Sequence, residues 1–395
     1  MGPGTHQARN GKYIGFFAPI GAAFARDNRC NLYNAALDFF LVGGGSLLFY
    51  LGMVLFFPHN QVTAATSVLA FNITYLINDP HFTISYQLLY ADLWRVLRAE
   101  NTRIATKVRY FFAGIVVPCA IIAYCTFCFL NENLFLLAYV ANAMLFFVGW
   151  HYIKQGYGVL ITYSVLNKYF LNATEKILLR FNLYLVWALS WLMANDRVSS
   201  SEFRGISVVN LSAAFGITPV FTHVAVGAVV VSTLVVIGVF LHKYLREGRA
   251  PSLNGLVGYV MSSYGWLLLV IYNPLFLLFT PMFHSLQYLA LALRYEFNKT
   301  GQSLQGAVFS RIFNNKALLK FILTGLALGY VLFHFIPDVL QRGIPYSHTI
   351  FGASIFAFMI VAFVNIHHYF IDNVIWRKDN ENVRKYLFST LPAKV

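Results

Sequence analysis

Apolar residues recur along this chain in ten runs, at about 34–57, 62–90, 108–130, 134–166, 177–195, 219–241, 254–272, 275–293, 317–340 and 350–376. Short polar or basic stretches separate them. A helix of about 20 apolar residues crosses the hydrocarbon core of a bilayer, so each run is a candidate span. The pattern predicts an all-α polytopic membrane protein with about ten transmembrane helices. A cytoplasmic segment 1–33 precedes the helical domain 34–376, and a basic cytoplasmic tail 377–395 follows it. The fourth run exceeds one crossing, so its last turns, from about Tyr157, are expected along or beyond the interface. Span one carries Gly43-Gly44-Gly45, which allows close helix approach, and the serine-rich loop 196–218 is expected to cap the outer face.

Composition supports the same class. Of 395 residues, 58% are hydrophobic and only 11% charged, more apolar surface than a soluble domain of this size can hide. The first thirty residues hold Arg9, Lys12, Arg26 and Arg29 and no apolar signal core, so the first span is expected to serve as the insertion signal. The net charge of +14 does not imply nucleic acid, because the basic residues lie between apolar runs, where anionic lipid and the positive-inside rule account for them. With ten spans, 23 Lys and Arg fall on the side of both termini and three, Arg197, Arg204 and Arg342, on the other. Merging spans seven and eight across Asn273-Pro274 would destroy that asymmetry, so ten spans with both termini cytoplasmic are expected. Cys30, Cys119, Cys125 and Cys128 form no disulfide framework, and Cys125-Thr-Phe-Cys128 reads as packing.

Polar residues inside the spans concentrate on four helices. Span two has Asn78-Asp79-Pro80-His81, span four His151-Tyr152-Ile153-Lys154-Gln155, span eight His284-Ser285-Leu286-Gln287-Tyr288, and span ten Asn365 to Asp372 with His367-His368. Counted from the basic flanks at Arg95, Arg294 and Arg377, the histidines lie roughly 15–20 Å into the membrane. Ionisable residues at that depth cost free energy unless paired, metal-bound or wet. A single membrane histidine reads as a helix-to-helix hydrogen bond, but four clusters at one level point to a metal site. Imidazole without thiolate suits iron, zinc or copper. Candidate ligands are therefore His81, His151, His284, His367 and His368, the last two pointing about 100° apart on one helix. Asp79, Gln155, Gln287 and Asp372 are candidates to hold the far ring nitrogens, with Lys154 close by. His59, His242 and His348 fall near interfaces, His6 in the polar N-terminus, and His223 and His334 read as structural or interfacial.

The order of these motifs resembles the Brp/Blh family of bacterial membrane-embedded beta-carotene dioxygenases. The matching residues are Pro80-His81, His151 in Trp150-His151-Tyr152, His284-Ser285, and His367 five residues before Asp372 in Ile371-Asp372. The resemblance implies a histidine-bound non-haem iron held by His81, His151, His284 and His367. Two positions depart from it: Tyr288 stands where a second histidine of a His-Ser-x-x-His motif would fall, and Ile366 replaces a proline. Tyr288 and Asp79 are then candidate catalytic groups.

The function expected from the sequence is a multi-pass metalloenzyme of the inner or plasma membrane, if bacterial. It would be an iron oxygenase using dioxygen on a lipophilic substrate among membrane lipids. A proton or metal-ion transporter and a haem-binding redox protein are the alternatives.

Overall fold

The computed structural model describes residues 30–56, 64–198, 219–266, 275–301 and 308–388, together with Leu268 and a few positions between 202 and 216. Among them the chain is almost wholly helical. The long helices are α1 (Ala35–Phe56), α2 (Ala64–Ile73 continuing through Thr74–Asn78 into Asp79–Arg98), α3 (Ile104–Leu130), α4 (Leu134–Leu166), α5 (Ala173–Val198) and α6 (Pro219–Glu247). After them come α7 (Leu253–Val260 with Met261–Gly265), α8 (Leu275–Lys299), the short α9 (Val308–Asn314), α10 (Lys316–Gly343), α11 (His348–Phe351), α12 (Ile355–Ile375) and α13 (Glu381–Leu387). Two-residue strands at Glu202–Phe203 and Ile206–Ser207 form a small antiparallel ladder in the predicted outer loop.

Seven helices (α1, α3, α4, α5, α6, α10 and α12) are long and apolar enough to cross a membrane. Helices also run through predicted spans two and eight and the first part of span seven, but they do not meet that standard. The Asn273-Pro274 junction, His6, His59 and most of loop 196–218 lie outside the described residues. Span four is one unbroken 33-residue helix. At about 1.5 Å per residue it is about 50 Å long, well beyond a hydrocarbon core.

The helix at the centre is α12. It packs against α2, α3, α4 and the α10 region, and 56% of its most apolar stretch is buried, against 11% to 39% in the other six. By contrast α6 touches mainly α5 and leaves Val220, Val224, Val230, Val231, Leu234 and Ile237 exposed. An outer surface so largely apolar suits lipid. Close approach of α1 to α7 occurs at the glycine run: a Cβ on Gly43 would stand 3.1 Å from Gly258 Cα and from the Val257 carbonyl oxygen. Gly43 also breaks the helix with a φ of 156°, a conformation that side chains disfavour.

Five stretches within the described helices are π-helical: Phe40–Gly44, Thr74–Asn78, Phe112–Val116, Met261–Gly265 and Val331–Phe335. An extra residue in a turn shifts the ladder and makes carbonyls available for side chains, and such bulges gather at functional sites. Here the Val42 carbonyl accepts from Gln287 Nε2 (2.6 Å), the Asn78 carbonyl from His81 Nδ1 (2.6 Å), the Ala113 carbonyl from His367 Nε2 (2.8 Å) and the Gly114 carbonyl from the Tyr90 hydroxyl (2.9 Å). In three of the five stretches the irregular backbone thus receives polar side chains of the interior.

Candidate metal centre

Four helices bring His81 (α2), His151 (α4), His284 (α8) and His368 (α12) together. One ring nitrogen from each lies within 4.8 Å of the others, and all four residues are buried. His368 Nε2 stands 3.2 Å from His81 Nε2 and 3.1 Å from His151 Nε2. Two nitrogens each about 2.1 Å from one ion, and about 90–110° apart at it, would be about 3.0–3.4 Å apart. The spacing therefore fits shared coordination.

Hydrogen bonding behind the rings fixes what they present. A carbonyl oxygen only accepts, so the bond to the Asn78 carbonyl puts the His81 proton on Nδ1. Ser285 Oγ gives its one proton to Asn78 Oδ1 (2.8 Å) and accepts from the same His81 Nδ1 (2.9 Å). Ser85 Oγ gives its proton to the Phe82 carbonyl (2.6 Å) and must accept from His368 Nδ1 (2.7 Å). In their neutral forms both imidazoles therefore turn a bare Nε2 lone pair inward, and those lone pairs meet at 3.2 Å. That contact is repulsive unless an electrophile lies between them.

His284 adds to the same conclusion. Neither of its ring nitrogens has a hydrogen-bond partner, although the side chain is 1% exposed. A buried polar group left unpaired costs about 1–3 kcal/mol. What orients the ring is stacking on Tyr152, with centroids 4.0 Å apart and planes 26° apart. An ion held by the four nitrogens would engage one of the two unpartnered His284 nitrogens and separate the facing lone pairs at once.

Asp372 borders the group, its Oδ2 3.5 Å from His368 Nε2 and 3.7 Å from His151 Nε2, while Oδ1 is unpaired. Tyr288 is 1% exposed, its ring 5.3 Å from that of His81 and 5.5 Å from that of His368, and its hydroxyl makes no hydrogen bond of ordinary geometry. Both face the histidines from the side of Trp376, whose ring lies 5.8 Å from that of Tyr288.

The other predicted site residues fall elsewhere. His367, a ligand by the family resemblance, does not join the group. Its Nδ1 accepts from the Tyr86 hydroxyl (2.8 Å) and its Nε2 donates to the Ala113 carbonyl, so both nitrogens are engaged on a different face of α12. The cause is the 100° step between successive helical residues. Asp79 accepts from His334 Nε2 (3.1 Å) and holds no ring of the four-histidine group. Gln155 donates to the His284 carbonyl and to Gln287 Oε1, both at 2.9 Å, so the glutamines brace backbone and each other instead of imidazole nitrogens. Lys154 donates to Asn373 Oδ1. Sequence reasoning missed Ser85 as a ring-orienting group; its only signal was a position four residues after His81 on the same helical face.

Compared with known proteins, the chain matches no family model, no curated protein and no solved structure.

Proposed function

We propose that this protein is an integral-membrane metalloenzyme, a non-haem iron oxygenase acting on a lipophilic substrate and distantly related to the Brp/Blh dioxygenases. One observation carries the reading: four buried imidazoles converge, with two bare lone pairs facing each other at 3.2 Å. His81, His151, His284 and His368 would hold the ion, with Asp372 beside it. All-nitrogen ligation with a nearby carboxylate suits iron, and also admits zinc or copper. A bound iron would supply open positions where dioxygen can be activated. Ser85, Ser285 and the Asn78 carbonyl fix the tautomers of two ligands, and Tyr152 fixes the tilt of a third. The surrounding aromatic rings keep water out, and Tyr288 stands where a phenol could donate a proton to a reacting oxygen.

The spacing leaves no room for a porphyrin between facing axial rings, which weighs against a haem protein. Convergence at a single point, instead of a line of polar groups, weighs against a transport path. Metal analysis and an optical spectrum of the purified protein test the proposal. Bound iron without a haem spectrum is expected. A haem spectrum, or a protein that takes up no metal on reconstitution, would overturn it.

A further inference from the structure

Helix α2 carries two polar faces. His81 and Ser85, four residues apart, turn to the histidine group. Asp79, Thr83 and Gln87, also four apart, lie about 200° round the helix from them. All three of this second set are hydrogen-bonded to α10. Gln87 Nε2 donates to the Phe321 carbonyl (3.2 Å), Thr83 Oγ donates to the Gly325 carbonyl (2.6 Å), and Asp79 Oδ2 accepts from His334 Nε2 (3.1 Å). Helix α10 itself contributes no residue to the histidine group.

The partners on α10 follow the same spacing. Phe321, Gly325 and Gly329 are four residues apart, and the glycines let the backbones meet. A Cβ on Gly329 would stand 3.2 Å from Asp79 Cβ and 3.3 Å from its carbonyl carbon. His334 comes five residues after Gly329, which in a regular helix would turn it about 140° off that face. The π-helical stretch Val331–Phe335 absorbs the extra residue and brings it back. This bulge therefore aims His334 at Asp79.

On α2 the pair acts beside the backbone that orients His81. Asn78, the residue before Asp79, ends the bulge Thr74–Asn78 and gives its carbonyl to His81 Nδ1 (2.6 Å) and its side-chain oxygen to Ser285 Oγ (2.8 Å). Pro80 follows and has no N–H, so the helix's own ladder lacks a bond there. The side chains on either side must hold the turn. Polar bonds between membrane helices add only modest stability. What a row of them on one face fixes is the rotation of α2, and with it where His81 and Ser85 point.

We propose that His334 and Asp79 are positioning residues. Their hydrogen bond, backed by the close contact at Gly325 and Gly329, holds the Asn78 carbonyl against His81 Nδ1 and so keeps the His81 Nε2 lone pair turned to the other imidazoles. The inference rests on the metal reading only for what that lone pair grips. It makes α10, the candidate span with the smallest buried share (11%), the splint of a site to which it gives no side chain.

The test uses full-length protein in lipid nanodiscs. Nitrogen-15 NMR of the histidine rings in metal-free protein, with the His81 signals assigned by His81→Gln, reads the tautomer, and competition for zinc with a chelator reads the grip. His334→Phe keeps an aromatic ring and removes the donor. In it His81 should leave the purely Nδ1-protonated form, and zinc affinity should fall about 10-fold. His334→Gln, which can still donate, should restore both. Asp79→Ala should match His334→Phe, and it keeps the proposal testable should the phenylalanine disturb folding. Gln87→Leu, two turns from Asp79, should lower Tm without moving tautomer or affinity. Tautomer and affinity unchanged in His334→Phe and Asp79→Ala, or altered equally in Gln87→Leu, would mark a merely structural contact and overturn the proposal. Because the tautomer is read without an ion, the two readings fail separately. A tautomer change in the variants of a protein that binds no zinc refutes the metalloenzyme and upholds the positioning pair.

Discussion

His367 and His368 are neighbours on α12, equally buried and of one residue type, yet their surroundings differ in kind. Around His367 both nitrogens are met by protein, one by Tyr86 and one by the Ala113 carbonyl. Around His368 only the outer nitrogen is answered by a hydroxyl, that of Ser85, and the inner one meets two more imidazoles. The contrast teaches that burial and residue type do not identify a ligand. A ligand is marked by a lone pair the protein leaves unanswered while it fixes the opposite side of the ring.

That contrast can be broken most forcefully at the proposed ligands. His368→Ala and His284→Ala should abolish stoichiometric metal binding in protein that still purifies as a folded species, whereas His242→Ala should change nothing. Equal metal content in all three, by elemental analysis, would refute the assignment. Next in size is the residue behind the ring. Ser85→Ala removes the acceptor that holds the His368 proton on Nδ1, and should weaken metal affinity about 10–100-fold without loss of the helical fold, by competition with a chelator. Tyr86→Phe should do the reverse, leaving affinity unchanged and costing about 1–3 kcal/mol of stability, because His367 Nδ1 loses its donor. A drop in metal affinity there would mean that the two environments are coupled. The mildest perturbation is pH: protons compete with the ion for the same lone pairs, so retention against a chelator should decline as pH falls and recover as it rises. Retention independent of pH across the acid range would argue against imidazole ligation.

The sequence made the class of fold and the meeting of four helices legible, because apolar runs and misplaced histidines are one-dimensional signals. It could not separate His367 from His368, since rotation about a helix axis is decided by the neighbours, here Tyr86 on one side and Ser85 on the other. The family resemblance favoured His367 by its spacing to Asp372, but the same carboxylate sits one turn after His368 on its own face. The π-helical stretches were invisible for a related reason. A single extra residue in a turn leaves no compositional mark, yet it supplies the Asn78 carbonyl that orients His81 and the Ala113 carbonyl that engages His367. Glutamines expected at the rings turned out to brace backbone and each other instead: Gln155 is taken by the His284 carbonyl and Gln287 Oε1, and Gln287 by the Val42 carbonyl.

The most direct measurement is the metal-to-protein ratio of wild type, His368→Ala and His367→Gln purified side by side. About one ion per chain is expected in the wild type and in His367→Gln, with essentially none in His368→Ala. Loss of metal in His367→Gln with retention in His368→Ala, or no metal in any of the three after reconstitution, would contradict it.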